Sequence, residues 1–261
     1  MNLSELLSSM RLGAGTVHVA VSEDWLQGRS LFGGLQAAIG LCAMRTLVPA
    51  TTPLRTLQVT FIAPVEGGEV SASARVLRTG KSATHVEARL ENAQGLQAIL
   101  IGVFGTPRTS IVRVQVPAPA PTSGKRQRMS FVAGITPSFM QQFDVELVAG
   151  AIPFSGTPVN GFAFDLGLRD PGPVTEAHLL AFADFVPPVA LTWMPKPVPG
   201  SSLTWMIELL DYDFAAQPVQ GWRAQTQMLA ARDGYISQTT TLWAPDGKAV
   251  ALSTQSMVVF G

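Results

Sequence analysis

Asp184 is the side chain in this 261-residue sequence whose surroundings suit it least. It closes the run LLAFAD and is followed by FVPP, so every neighbour within four positions is apolar. A carboxylate among such side chains is costly unless it is hydrogen-bonded or used as an acid or base. The bland alternative is a helix end that frays into solvent just before the two prolines. Ser202 in SSLTWM and Gln255 in STQSMVVF are weaker signals, because polar residues in strands are ordinary. With only three histidines, His18, His85 and His178, a Ser-His-Asp arrangement is possible in principle but poorly supported. His18 and His85 sit within strand patterns, and His178 lies in the first turn of a helix. Cys42, in an apolar run, reads as a small buried hydrophobe rather than a nucleophile. G-x-S-x-G, P-loop and H-E-x-x-H signatures are absent, the Gly33-Gly34 pair lacks the other glycines of a dinucleotide fingerprint, and no residues stand at metal-ligand spacing.

These residues need elements to hold them. TVHVAV (16–21) alternates as a half-buried strand, and LFGGLQAAIGLCAMRTLV (31–48) is a continuous apolar run that stops before Pro49 and reads as a buried helix. LQVTFIAPV, EVSASARVLR, SATHVEARLE and LQAILIGVFG then read as four strands separated by GG, TGK and NAQG turns, which predicts antiparallel hairpins. A stretch rich in Pro, Thr and Ser from 106 to 130, including VPAPAPTSGKRQR, has the composition of an extended linker.

The second half repeats this order. FDVELVAG is a strand, TEAHLLAFADFV is a helix opened by Thr175 and closed by Pro187 and Pro188, and four strands follow: SLTWMIELL, VQGWRAQTQMLAA, YISQTTTLWA and AVALSTQSMVVF. Strand, helix and four strands, twice, predicts a tandem duplication of one α+β unit, with each antiparallel sheet wrapped around a long apolar helix and the two sheets meeting edge to edge. The boundaries fall at 1–105, a 106–135 crossover, and 136–261. Aligning the halves sets Gly40 against Asp184, Thr56 against Ser202 and Val103 against Gln255. Two of the three polar positions are thus polar in one half only, as expected if one half holds the chemistry.

Eighteen basic and eighteen acidic residues give a net charge of zero, which argues against a nucleic-acid surface; the GKRQR run at 124–128 is too short to supply one. Charged residues make up 14% against a typical value of about 25%. So few charges predict apolar surface hidden in a homo-oligomer contact or a ligand channel. The single cysteine excludes an internal disulfide, and MNLSELLSSMR lacks the basic and apolar regions of a signal peptide. No run approaches the about 20 apolar residues of a membrane span, and the expected compartment is cytoplasmic.

At this point the sequence resembles the acyl-CoA thioesterase II group of double-hotdog proteins. LFGGLQAAIG is similar to the family's FGG-led helix, LRTLQVTFIAPV and the R-x-G turn at Arg78 and Gly80 to its strand core, and APAP to its Pro-rich crossover. HLLAFAD approximates the family's ALL-A-x-x-D, Ser202 its Thr or Ser before an apolar strand, and STQSMVVF its late S-T-x-Q motif. The resemblance implies a catalytic trio of Asp184, Ser202 and Gln255, with Phe32, Gly33 and Gly34 on the substrate and no cofactor or metal. A register shift would put Thr204 in place of Ser202. Two features depart from the pattern. Ser202 follows Asp184 by only 18 residues, and IELLDYDFAA replaces an aromatic-basic segment. The implied activity is hydrolysis of acyl-CoA to a free acid and coenzyme A by an activated water. A hotdog dehydratase would need an Asp/His pair that the histidines do not supply, and a non-catalytic acyl-CoA or lipid-binding double hotdog would have no use for the polar trio.

Overall fold

The computed structural model describes residues 1–122, 126–210 and 213–260. Gly124 and Lys125 of the basic run, and Asp211 and Tyr212 of IELLDYDFAA, therefore lie outside the described residues. The chain opens with helix α1 (Leu3–Ser8), then β1 (Arg11–Gly13), β2 (Thr16–Val21), a small ladder of β3 (Leu26–Gln27) and β4 (Ser30–Leu31), and helix α2 (Gly33–Arg45). Strands β5 (Leu54–Phe61), β6 (Gly68–Thr79), β7 (Ala83–Asn92) and β8 (Gly95–Gly105) complete the first half. The second half contains β9 (Gln127–Met129), β10 (Phe143–Ala149), β11 (Gly161–Leu168), helix α3 (Glu176–Asp184), β12 (Gly200–Leu209), β13 (Gln220–Arg232), β14 (Tyr235–Trp243) and β15 (Ala249–Val259).

Two sheets were expected, but the described chain forms one large sheet of thirteen strands, ordered β1-β2-β6-β7-β8-β5-β12-β15-β14-β13-β11-β10-β9. The merger happens at β5 and β12. These edge strands pair antiparallel from Thr204 opposite Thr60 to Glu208 opposite Thr56, so the meeting of the halves is a continuous ladder that leaves neither edge open. The outer edges are the three-residue strands β1 and β9, too short to template another chain.

The expectation of two long helices also needs correction: α2 has 13 residues and α3 only 9. Pro187 and Pro188 bring no backbone N–H and disfavour helical geometry before them, so α3 stops at Asp184 with Phe185 as its cap. Both helices are buried on almost every side, which is why neither shows an amphipathic stripe. The eight strands from β5 to β8 and from β12 to β15 lie where turn chemistry and alternation place them. The β13–β14 hairpin turns on Asp233 and Gly234, both at positive φ (53° and 80°), as a two-residue type I′ loop requires. Strand β11, GFAFDLGL, was not foreseen, because it is buried on both faces and does not alternate.

Strand register also corrects the alignment of the halves. A bulge separates Leu54 from Thr56 on β5, and a matching bulge separates Ser202 from Thr204 on β12. Leu54 is opposite Phe104 as Ser202 is opposite Met257, and Leu57 is opposite Gly102 as Trp205 is opposite Gln255. The structural counterpart of Ser202 is therefore Leu54, not Thr56, and that of Gln255 is Gly102, not Val103. The earlier alignment was out by two residues on one strand and one on the other.

Candidate active site

The end of α3 meets the beginning of α2. Asp184 is 9% exposed, and Gln255 Nε2 donates to its Oδ1 at 2.6 Å across the interior. On the other side lies the start of α2, where a Cβ built on Gly33 would stand 2.7 Å from Asp184 Oδ2 and 3.1 Å from the Phe61 ring. A Cβ on Gly34 would stand 2.9 Å from the Leu180 carbonyl oxygen. The two glycines thus let the helices approach closely enough for the positive end of α2 to face the carboxylate. Burial pushes the Asp184 carboxyl up to about 7, although the backbone N–H of Gly34 and the Gln255 amide both favour its anion. Its position at the C-terminal, negative end of α3 works in the same direction as burial. A carboxyl that is half ionised near neutrality can accept a proton and return it.

Gln255 is 1% exposed and spends only one end of its amide on Asp184. Its Oε1 has no partner among the described residues. Trp205 lies opposite it on β12 and donates Nε1 to Ser253 Oγ at 2.6 Å; Gln238 lies opposite it on β14. Gln238 was missed in the sequence reading. The signal was present: in ISQTTTLW, Gln238 shares a face with Ile236, Thr240 and Leu242, all buried.

Ser202 is opposite the buried Met257, two residues beyond Gln255, so Ser202 and Gln255 are diagonal neighbours on the inner face, roughly 7–8 Å apart by strand geometry. The structure brings Asp184 and Gln255 into contact and leaves the Ser202 hydroxyl bonded to neither. Thr204 faces the other way, opposite the exposed Ser256 and Thr60. Phe32 caps α2, but its ring turns into an aromatic cluster, stacked on Phe139 at 4.3 Å, while Phe139 and Phe143 also touch Phe185 beside Asp184.

The remaining candidates fall elsewhere. His18 is exposed on β2 and His85 half-buried on β7. His178 is wholly buried, with Thr175 Oγ1 at 2.9 Å from Nδ1 and Asp170 Oδ2 at 3.4 Å from Nε2. Burial lowers its affinity for a proton despite the neighbouring carboxylate. It serves the N-terminal cap of α3. The Cys42 thiol is pushed up to about 11, first by burial and then by Glu176, so it is protonated at neutral pH.

The fold's approximate two-fold symmetry creates a second junction, where the end of α2 meets the start of α3. There Arg45 clasps Glu176, with Nε at 2.8 Å from Oε2 and a second contact from Nη2 to Oε1. Leu54 stands where Ser202 does, and Gly102 where Gln255 does. A Cβ on Gly102 would be 2.6 Å from Met44 Sδ, so Met44 fills the space that the glutamine side chain uses in the other half. One junction holds a carboxylate and an amide. The other is closed by an ion pair and packing.

Known proteins agree with this architecture. The hot dog fold protein from Alicyclobacillus acidocaldarius is similar over 100% of this chain and 99% of its own, at 22% identity and a TM-score of 0.86. The tesB protein of Mycobacterium avium subs paratuberculosis is similar over 100% of both chains at 13% identity and a TM-score of 0.76. An acyl-CoA thioesterase II from Mycobacterium marinum is similar over 98% of this chain and 97% of its own, at 14% identity and a TM-score of 0.72. Such identities establish the hotdog fold. No curated protein matches the sequence. The acyl-CoA thioesterase N-terminal domain family matches residues 21–105 and the acyl-CoA thioesterase C-terminal domain family residues 114–259. With more than half of its length matched by these two families, the chain belongs to the acyl-CoA thioesterase family of thioester hydrolases.

Proposed function

We propose that the chain hydrolyses acyl-CoA at the Asp184 junction, with the carboxylate as general base and Gln255 and Ser202 holding the attacking water. The observation that carries this reading is the buried contact between Asp184 Oδ1 and Gln255 Nε2 at the start of α2. Oε1 of Gln255 supplies an acceptor with no partner among the described residues, and the Ser202 hydroxyl supplies a second anchor on the same face. Water bound to these groups gives a proton to Asp184 as its oxygen attacks the thioester carbonyl. The resulting oxyanion is stabilised at the start of α2, beside Phe32, Gly33 and Gly34, by the Gly33 N–H, since the Phe32 N–H donates to the Trp25 carbonyl at 2.9 Å, the Gly34 N–H to Asp184, and those of Leu35 and Gln36 to the Phe32 carbonyl. Collapse breaks the C–S bond, and the proton on Asp184 passes to the departing thiolate, restoring the carboxylate. Positioned base catalysis of this kind contributes about 10²–10⁴-fold. In this reading both units contribute, the carboxylate and amide coming from 136–261 and the helix N-terminus from 1–105.

The test is release of free thiol from acyl-CoAs of short, medium and long chain. The expected result is turnover of at least one class by the wild type and its abolition in a folded Asp184→Asn variant. Tight acyl-CoA binding without release from any of them would make the chain a binding protein, and full activity in Asp184→Asn would move the chemistry elsewhere.

A further inference from the structure

The two prolines that end α3 create a local problem. Residues 187 and 188 bring no N–H, so the first backbone donor after Val186 is Val189. Gln238 answers it from β14. Its Oε1 accepts the Val189 N–H at 3.0 Å, and its Nε2 donates to the Pro187 carbonyl at 3.4 Å, so one side-chain amide spans Pro188 and uses both of its ends. Gln238 is 1% exposed, so neither bond competes with water. Gln238 is also the residue directly opposite Gln255. The strand position that pins the exit of α3 therefore lies beside the one whose amide reaches Asp184, and the pinned residue Pro187 is three residues from that carboxylate.

We propose that Gln238 is a positioning residue that clamps the exit of α3 to β14 and so sets the Asp184–Gln255 contact on which the water-activating reading depends. A misplacement of about 1 Å at a reacting group can cost roughly a hundredfold in rate. The groups facing Asp184 among the described residues are uncharged: Gly33 and Gly34 of α2, Phe61 of β5 and Gln255 of β15. Burial and geometry therefore govern its titration. Loosening the exit admits water, which lowers the carboxyl's proton affinity toward its ordinary range.

Gln238→Met removes both bonds while keeping an unbranched side chain. Val189→Pro removes only the donor; Val189 opens a 3₁₀ turn, where proline is tolerated, and Pro188 already has the extended ψ of 125° that a following proline favours. Each variant, and the double variant, is assayed for acyl-CoA hydrolysis against pH. The expected result is a fall in kcat of about ten- to a hundredfold with KM changed by less than about twofold, an acidic limb moved to lower pH, and a double variant no worse than the weaker single. A folded variant of either kind with wild-type kcat and an unmoved limb overturns the proposal, as does a change confined to KM. Should Gln238→Met not fold, Val189→Pro decides alone. Should the wild type hydrolyse no acyl-CoA, that reading of the site fails by itself. The clamp is then read from the infrared carboxyl band of Asp184, identified by its loss in Asp184→Asn and titrated in both clamp variants. A titration displaced to lower pH supports the clamp, and an unchanged one overturns it.

Discussion

Replacing Asp184 by Asn is expected to stabilise the protein, and to do so only where the carboxyl would be charged. The folded chain holds the Asp184 proton up to about 7, whereas the ordinary carboxyl loses it at 3.8. At about 1.4 kcal/mol per pKa unit, that difference corresponds to about 4 kcal/mol. The sign follows from proton binding. Between the two values the folded chain keeps a proton that the unfolded chain has released, so wild-type stability is full below about pH 4, declines as the pH rises toward 7 and is flat above it. Asn keeps an oxygen for the Gln255 amide without ever ionising. The stability advantage of Asp184→Asn should therefore grow by about 2–3 kcal/mol between pH 5 and pH 8. Urea unfolding of both proteins at the two pH values measures it. His178 and Asp170 titrate in both proteins and cancel in the difference. Unfolding curves separated by the same free energy at pH 5 and pH 8, or a wild type that gains on the variant at pH 8, would refute the argument that burial raises this carboxyl.

Two further substitutions test the surroundings. Gly33→Ala places a methyl 2.7 Å from Asp184 Oδ2 and against Phe61 on an otherwise ordinary helical backbone, so kcat/KM should fall at least about tenfold while circular dichroism stays that of the wild type; wild-type turnover would show that close approach at Gly33 does not matter. Arg45→Met strands a Glu176 carboxylate whose side chain is only 16% exposed, which should cost about 2 kcal/mol in chemical denaturation and leave thiol release unchanged. Loss of turnover in that folded variant would instead put chemistry at the Arg45 end.

The order of elements was legible because it rests on local signals: alternation, turn glycines and the two prolines. The single sheet was not, because nothing in β5 or β12 taken alone distinguishes two adjoining edges from a shared ladder. Strand β11 escaped for the opposite reason. Burial on both faces removes the polar half of its pattern. Asp184 could be read because a carboxylate among eight apolar neighbours is rare, whereas the signal at Gln238, a polar residue in step with Ile236 and Leu242, is weaker, and its partners, the backbone groups flanking Pro188, appear only in the fold. The misaligned counterparts of Ser202 and Gln255 have a plain physical cause. The bulges on β5 and β12 match and cancel between the halves, so the error comes from aligning by residue type and turn glycine, neither of which records which residues stand opposite across a ladder.

The two junctions show what duplication allows. In a pair of identical units, the end of each helix would meet the start of the other, and any carboxylate at one end would recur at its counterpart. Here each junction draws on both halves, but the demands are different. Close approach of a carboxylate to a helix N-terminus needs glycine there, and α2 starts with two, whereas α3 starts with Glu176, whose charge at that end would repel a second carboxylate. Arg45, held by the carbonyls of Pro49 and Thr52 and lying over the Phe104 ring at 4.6 Å, satisfies that charge. Once Glu176 is paired, nothing polar is needed on the adjoining strands, and Leu54 and Gly102 can serve packing alone. The ion pair anchors the fold at one junction, which leaves the costly ionisable carboxyl, Asp184, to be tolerated at the other. A site that spends stability on a raised carboxyl is therefore compatible with a stable chain because its counterpart has given up chemistry for structure.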